Sequence, residues 1–432
     1  MTDYPQPLVL TPLAGPVDAT VRVPGSKSIT NRALVLAALA SRETACTLTG
    51  ALRSEDTEVM VECLQRLGYR VTPDWPRETI RVEVHGSARL VPAEAADLWV
   101  ANSGTTVRFL AALVSLSPGK YRLDGVPRMR ERPIQDLLDA LGQLGVSAVS
   151  EAGTGCPPVV IRGDGWKAGT VQVRADTSSQ FLSGLMIASA FAEAEVSVQS
   201  DGLRVSEPYI GMTAAMLQRW WRDVEVPDDG RWVPVPRPPS HWPEAFAVEP
   251  DASSASYFWA AAAVTGGRVT VAGLGRDSLQ GDVGFVDLLA RMGCTVTDSP
   301  AGITVTAGPL RGIDCDMNAV SDTVMTLASV ACFADGPTRI RNVAHIRHKE
   351  TDRIAAVATE LRKLGAGVEE HADGLTIHPR PLTGCVLDTY KDHRMAMSLA
   401  VVGLRVPGVV VNDPGCVAKT YPGFWQDWER LR

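Results

Sequence analysis

Several things are missing from this 432-residue chain. It has no CxxC pair and no histidine partner at zinc spacing, although eight cysteines are present: Cys46, Cys63, Cys156, Cys294, Cys315, Cys332, Cys385 and Cys416. That scatter argues against a disulfide framework or a zinc site and reads as reduced core thiols of a cytoplasmic protein. No apolar run reaches the roughly 20 residues needed to cross a bilayer. The segment Met1 to Leu13 lacks the basic start and apolar centre of a signal peptide. Positive charge is in deficit: 42 Lys and Arg against 49 Asp and Glu leave a formal net charge of −7. A broad nucleic-acid or membrane surface is thereby disfavoured. What remains is ordinary for a globular protein, 45% hydrophobic and 21% charged, and the length implies more than one domain.

What the chain does have is a repeated helix start. Six times a short polar cap opens into a helix of small apolar residues. The caps are Ser26-Lys27-Ser28, Asn102-Ser103-Gly104-Thr105, Thr177-Ser178-Ser179-Gln180, Asp251-Ala252-Ser253-Ser254, Ser321-Asp322-Thr323 and Lys391-Asp392-His393-Arg394, about 70 residues apart. Such spacing suits small α/β subdomains better than common solenoid repeats. Ser, Thr, Asn and Asp satisfy the orphan amides of a helix start, and those amides together with the helix dipole attract anions. A second helix signal follows each of four caps: an aliphatic residue and then a glycine turn at Gly68, Gly145, Gly293 and Gly365. Glycine there is the expected C-cap. Trp220-Trp221 takes the matching place in the third unit. Three units precede the Pro-rich stretch Val233 to Ser240, which marks a domain boundary because proline suits neither a helix interior nor a central strand. The expected lobes are 24–243 and 1–23 plus 244–432, with the opening strand Leu8 to Leu13 belonging to the C-terminal half.

Cationic residues gather at these turns despite the acidic total. Lys27 and Arg32 flank the first cap, which lacks the GxxxxGK[ST] pattern of a Walker loop. Arg32 lies one turn after Ser28, on the same face. Lysine supplies a point charge there and arginine a fork matched to phosphate or carboxylate. Arg128, Arg130 and Arg132 crowd five positions, Arg347-His348-Lys349-Glu350-Thr351-Asp352-Arg353 forms another basic turn, and Arg394 and Lys419 close the set. Two carboxylates stand out, Asp322 and Glu350. The first fits a helix cap as well as a base, and the second fits a simple pair with Arg353 three residues on. An acid and a base among many cations suits proton transfer beside phosphate groups.

Six segments then carry a family resemblance: Val23-Pro24-Gly25-Ser26-Lys27-Ser28, Asn102 to Arg108, Pro127 to Ile134, Asp251 to Tyr257, Lys349 to Arg353 and Asp392 to Met397. In order and together they resemble the 5-enolpyruvylshikimate-3-phosphate synthases, from about Leu8 to the C-terminus. The resemblance implies an α/β fold of two lobes, each of three βαβαββ repeats (an inside-out α/β barrel), with the active site in the cleft between them. It implies transfer of the enolpyruvyl group of phosphoenolpyruvate to the 5-hydroxyl of shikimate 3-phosphate, with release of phosphate. That step belongs to the shikimate pathway of chorismate and aromatic amino acid biosynthesis and is the target of glyphosate. Carried over by motif, Lys27, Ser28, Arg32, Ser178, Ser179, Gln180, Ser206, Tyr209, Asp322, His345 and Lys349 are the expected contacts of shikimate 3-phosphate. Lys27, Asn102, Gly104, Arg132, Gln180, Arg353, Arg394 and Lys419 are those of phosphoenolpyruvate. Asp322, Glu350 and Lys27 are the expected catalytic groups. The chain departs from some members at His345, where they have Asn, and at Phe109, where they have Pro.

No metal or organic cofactor is implied, since lysine and arginine would neutralise both phosphates. The expected partners are the two small substrates, with no nucleic acid and no membrane, acting on a cytoplasmic monomer. The nearest rival is the related transferase acting on UDP-N-acetylglucosamine. It usually has Asn after the first Lys and a reactive Cys on a loop of the first lobe, whereas Ser28 follows Lys27 here and no Cys lies between Cys63 and Cys156. A second rival, from another class, is a non-catalytic anion-binding scaffold.

Overall fold

The helices that follow the six polar segments are deeply buried. A computed structural model describes residues 5–201, 205–220, 231–232 and 242–432. In it the helix Gly104–Val114 is buried along its whole length, as is His393–Gly403. Lys27–Ala40 is buried from Ile29 onward, and Ala252–Thr265 from Ala252 to Val264. Helices apolar on every face have no solvent side and must be surrounded. Runs such as Ala260 to Ala263 let them lie close together. Enlarging one of these alanines would overpack the site at a cost of about 1–3 kcal/mol.

The chain divides into two compact units, Gly25–Val248 and the combination of Met1–Pro24 with Glu249–Arg432. In the first, Gly104–Val114 packs on both Lys27–Ala40 and Ser179–Ser189. In the second, Ala252–Thr265, Val324–Ala331 and His393–Gly403 pack on one another. Each unit carries three sheets. Those of Gly25–Val248 run in the order Ala245–Ala247, Cys46–Thr49, Thr79–Glu83, Arg70–Asp74; then Ala95–Trp99, Gly119–Asp124, Val159–Gly163, Ser147–Ser150; then Gly169–Arg174, Val196–Asp201, Arg231–Trp232. In the second and third of these sheets a parallel strand pair flanks one helix, Gly104–Val114 and Ser179–Ser189 respectively, the arrangement that a strand–helix–strand crossover requires; in the first, the parallel partner of Cys46–Thr49 is Ala245–Ala247, from far along the chain. Among the described residues no sheet closes on itself, so the barrel-like character implied above is not that of a closed sheet.

In the other unit the N-terminal segment supplies two strands. Asp18–Val21 pairs in parallel with Arg268–Val271, and Leu8–Val9 pairs antiparallel with Val410–Val411. The units part at 24/25 and 248/249. The second of these points lies beyond the expected 243/244, because Ala245–Ala247 adds to Thr47–Thr49 of the first unit. The Pro-rich stretch 233–240 and Trp221 lie outside the described residues.

Five caps form as read. Ser26, Ser103, Ser178, Asp251 and Asp392 each accept a backbone N–H of the following turn. The fifth segment in chain order differs. Ser321-Asp322-Thr323 ends a 3₁₀ turn, Asn318–Thr323, kinked at Val320, and the helix Val324–Ala331 begins with no side-chain cap. Asp322 is drawn to arginines instead. The glycines Gly68, Gly145, Gly293 and Gly365 all take left-handed φ after their helices.

Candidate active site

In the unit Gly25–Val248 the helix starts place cations and hydroxyls close together. Lys27 sits in the first turn of its helix, its Nζ 3.2 Å from the buried Asp56 carboxylate. Arg32, one turn on, is only 2% exposed. Its guanidinium donates to Thr213 Oγ1 (2.7 Å), Ser28 O (3.1 Å), Tyr209 O (3.2 Å) and Ser183 Oγ (3.3 Å), and lies 5.1 Å over the Phe109 ring. Burial lowers it to about 10, which leaves it charged at neutral pH. Arg32 thereby ties Ser28 to Tyr209, two residues the sequence set side by side only through the resemblance. Phe109, the residue that departs from some relatives, is the ring beneath that cation.

Of the three clustered arginines, Arg132 reaches the neighbouring helix start. Arg130 forks onto Asp124 and Arg128 pairs with Glu131. Arg132 donates to the carbonyl (2.9 Å) and side-chain Oδ1 (3.3 Å) of Asn102. A methyl on Gly104 would sit 2.5 Å from Arg132 Nη2 and 3.0 Å from Arg108 Nη1, so glycine is what lets both guanidinium groups crowd this helix start. Arg108 donates to Gln180 Oε1 (2.6 Å) and Pro133 O (3.1 Å), and Gln180 donates in turn to Thr105 Oγ1 (3.2 Å). Ser178 caps the helix that begins at Ser179. Ser206 is buried with φ +52 and holds the first turn leading to Tyr209 through its carbonyl.

In the other unit Asp322 is the hub. Its Oδ2 accepts from Arg394 at 2.7 Å, and its Oδ1 accepts from Arg353 at 3.1 Å with Lys349 Nζ at 3.8 Å. Arg353 is buried and also donates to Glu350 (2.9 Å) and Asp392 (2.8 Å). Burial alone would lower this guanidinium, but the charges of Asp392, Glu350 and Asp322 outweigh it and its pKa rises. Of the two readings of Glu350, the geometry shows the pair with Arg353. Arg394 donates to Ser253 Oγ (3.3 Å), and Ser253 donates to the buried Asp282. Asp282 is pushed up to about 6, first by burial and then by the charge of Asp322. His345 is buried and pushed down to about 3, by burial first and then by the Lys349 ammonium, so it is a neutral imidazole at working pH. Lys419 ends the buried turn Pro414–Lys419.

Asp392 is fully buried, whereas the Asp322 side chain is 14% and that of Lys349 24% exposed. Asp322 and Lys349 are thus the more exposed members of the cluster. The sequence profile of the EPSP synthases (3-phosphoshikimate 1-carboxyvinyltransferase) matches residues 13–428. The chain belongs to this family. The 3-phosphoshikimate 1-carboxyvinyltransferase of Nostoc sp. is 46% identical over 420 residues, 97% of each chain. That of Thiobacillus denitrificans is 49% identical over 421 residues, 95% of this chain and 96% of its own. The solved EPSP synthase of Acinetobacter baumannii is 25% identical and superposes with a TM-score of 0.80 over 99% of this chain and 98% of its own.

Each half thus gathers its own share of the expected residues, Lys27 to Tyr209 in one unit and Asp322 to Lys419 in the other. Sequence reasoning passed over four participants: Arg108, Asp56, Asp282 and Thr213. Arg108 had a signal, since it lies four residues after Gly104 and so on the same helix face. Asp56 had none, standing between Glu55 and Glu58 in an ordinary acidic first turn.

Proposed function

We infer that this chain carries out the reaction of its EPSP synthase relatives, joining phosphoenolpyruvate to the 5-hydroxyl of shikimate 3-phosphate and releasing phosphate. The observation that carries the assignment of roles is Asp322, a partly exposed carboxylate held by Arg353 and Arg394 beside Lys349. The arginines fix its orientation, and a base must hold its carboxylate in a set place.

The proton balance closes with the groups present. Glu350, with Lys27, delivers a proton to the methylene carbon, making C2 cationic. The 5-hydroxyl attacks C2 and gives its proton to Asp322. The tetrahedral adduct then returns a proton from its methyl carbon to Glu350 with Lys27, and phosphate leaves C2 carrying the proton held by Asp322, which restores the C=C bond as the enol ether of the product. Arg132, Arg353, Arg394 and Lys419 face the phosphoenolpyruvate phosphate and carboxylate, with Asn102, Gly104 and Gln180 shaping that pocket. Ser178, Ser179 and Ser206 hold the 3-phosphate, Ser28, Arg32 and Tyr209 the rest of shikimate 3-phosphate, and Lys349 and His345 its hydroxyl edge. Fixed cations in a water-poor site are usually the largest catalytic contribution. A neutral His345 offers one N–H donor and one acceptor, as the Asn of other members does.

Activity as a monomer in the cytoplasm is part of the same proposal. Phosphate release from phosphoenolpyruvate, measured with shikimate 3-phosphate and separately with UDP-N-acetylglucosamine, tests the reaction. Release with the first acceptor alone is expected. Release with the second alone would install the rival transferase, and binding without release would leave an anion-binding scaffold.

A further inference from the structure

Two consecutive non-glycine residues, Tyr390 and Lys391, take left-handed backbone angles, φ +56 and +55. Each such residue costs on the order of 1–3 kcal/mol and persists only where the surroundings hold it. This turn leads directly into Asp392 and Arg394. Asp392 receives Arg353 at 2.8 Å and caps the helix that begins at His393, so the turn decides where the Arg394 side chain starts.

The helix Arg353–Lys363 grips the turn at two points. Arg353 holds Asp392 from the first helical position. Glu360, seven residues on and so on the same face about 10 Å along the axis, is fully buried. Its Oε2 accepts the backbone N–H of Asp388 at 2.9 Å, and its Oε1 accepts the Tyr390 hydroxyl at 2.7 Å. Lys363 bridges Glu360 (2.9 Å) and the Asp388 carboxylate (2.7 Å), and Asn412 donates to the other Asp388 oxygen at 2.8 Å. A buried carboxylate is tolerated only when it is paired and hydrogen-bonded, and the bonds of this one go to the backbone just before the strained pair and to the side chain of its first residue.

We propose that Glu360 is a positioning residue for the phosphoenolpyruvate site: it holds the left-handed Tyr390-Lys391 turn and so fixes the placement of Arg394. The proposal rests on the assignment of Arg394 to phosphoenolpyruvate made above.

The test uses the full-length enzyme and its Michaelis constants. In Glu360→Gln one of the two acceptors becomes a donor facing a donor. Its KM for phosphoenolpyruvate should rise about tenfold, while that for shikimate 3-phosphate stays within twofold. Tyr390→Phe, at a residue 40% exposed, removes only the hydroxyl and should raise the same constant about threefold. Because both changes act on one bond, the double variant should match Glu360→Gln within twofold. Equal movement of both Michaelis constants, no movement in either, or multiplication of the two effects in the double variant would overturn the proposal. Should Glu360→Gln fail to fold, an unchanged constant in Tyr390→Phe would overturn it and a threefold rise would support it. Arg394→Ala separates the two levels. If it leaves the phosphoenolpyruvate constant unchanged, the assignment of Arg394 fails; if it raises that constant while folded Glu360→Gln does not, only the role of Glu360 fails.

Discussion

At the scale of single residues, Asp322 and Gly104 bear most of the functional reading. In Asp322→Asn the amide can still accept from one arginine, but its NH₂ faces another donor, since the two carboxylate oxygens serve Arg353 and Arg394 separately. Arg353 keeps Glu350 and Asp392, so the protein should fold. Turnover is expected to fall about 10²-fold or more through loss of the base. The KM for phosphoenolpyruvate should rise a few-fold through Arg394, and binding of shikimate 3-phosphate should persist. Steady-state kinetics with both substrates checks this, and turnover within a few-fold of the parent would reduce Asp322 to a structural ion pair. Gly104→Ala acts differently. The added methyl meets the guanidinium of Arg132 at 2.5 Å and that of Arg108 at 3.0 Å, both ends of flexible side chains that can withdraw. The fold should hold, while the KM for phosphoenolpyruvate rises and glyphosate affinity falls further. Shikimate 3-phosphate should be almost unaffected, because its proposed contacts lie at other helix starts. Titration of the variant with each ligand separates these outcomes; equal weakening of all three would make Gly104 a structural turn.

At the scale of elements, the buried turn carrying Asp282 predicts a pH signature. Its carboxyl is pushed up from 3.8 to about 6, by burial and then by Asp322, and Arg394 and Asp251 are the other charges that act on it. A raised folded-state value means that folding favours the protonated form. Its contribution is therefore fully present below about pH 4 and is lost as pH rises through 6. Asp282→Asn should remove this dependence. Relative to the parent it should gain on the order of 1–3 kcal/mol at pH 7 over its value at pH 4, as read from denaturant unfolding at the two pH values. A parallel pair of stability curves would count against it. The same scale shows what was legible in the sequence. Caps and glycine C-caps are local chemistry, so five helix starts and four helix ends could be read directly. The start at Ser321 to Thr323 could not, because ion pairing with residues 31 and 72 positions away outcompetes a local cap. Glu360 looks like any helix acid in sequence, and only the fold brings Asp388 and Tyr390 onto it. Arg32 could be placed on the face of Ser28 from its spacing, but its burial and its grip on Tyr209, 177 positions away, have no local trace.

At the scale of the whole molecule, each unit depends on a strand from far along the chain. Removing residues 1–23 would delete both Leu8–Val9 and Asp18–Val21, the edge strands of two sheets in one unit, and leave the hydrogen bonding of Gly25–Val248 intact. Amide hydrogen exchange on that truncated chain should show lost protection in Arg268–Ala272 and Val410–Val411 with protection retained in Cys46–Thr49. Uniform loss across both units would refute the independence of the two cores. The arrangement also sets an order of events during translation. Gly25–Val248 is one continuous stretch and can complete its sheets as soon as Ala245–Ala247 leaves the ribosome. The strands before Gly25 are in the opposite position. Asp18–Val21 waits some 250 positions for Arg268–Val271, and Leu8–Val9 waits 401 positions between Val9 and Val410. Domains generally fold as they emerge, so these two strands stay unpaired while Gly25–Val248, made after them, completes its sheets. Strands made before that whole stretch are built in after it.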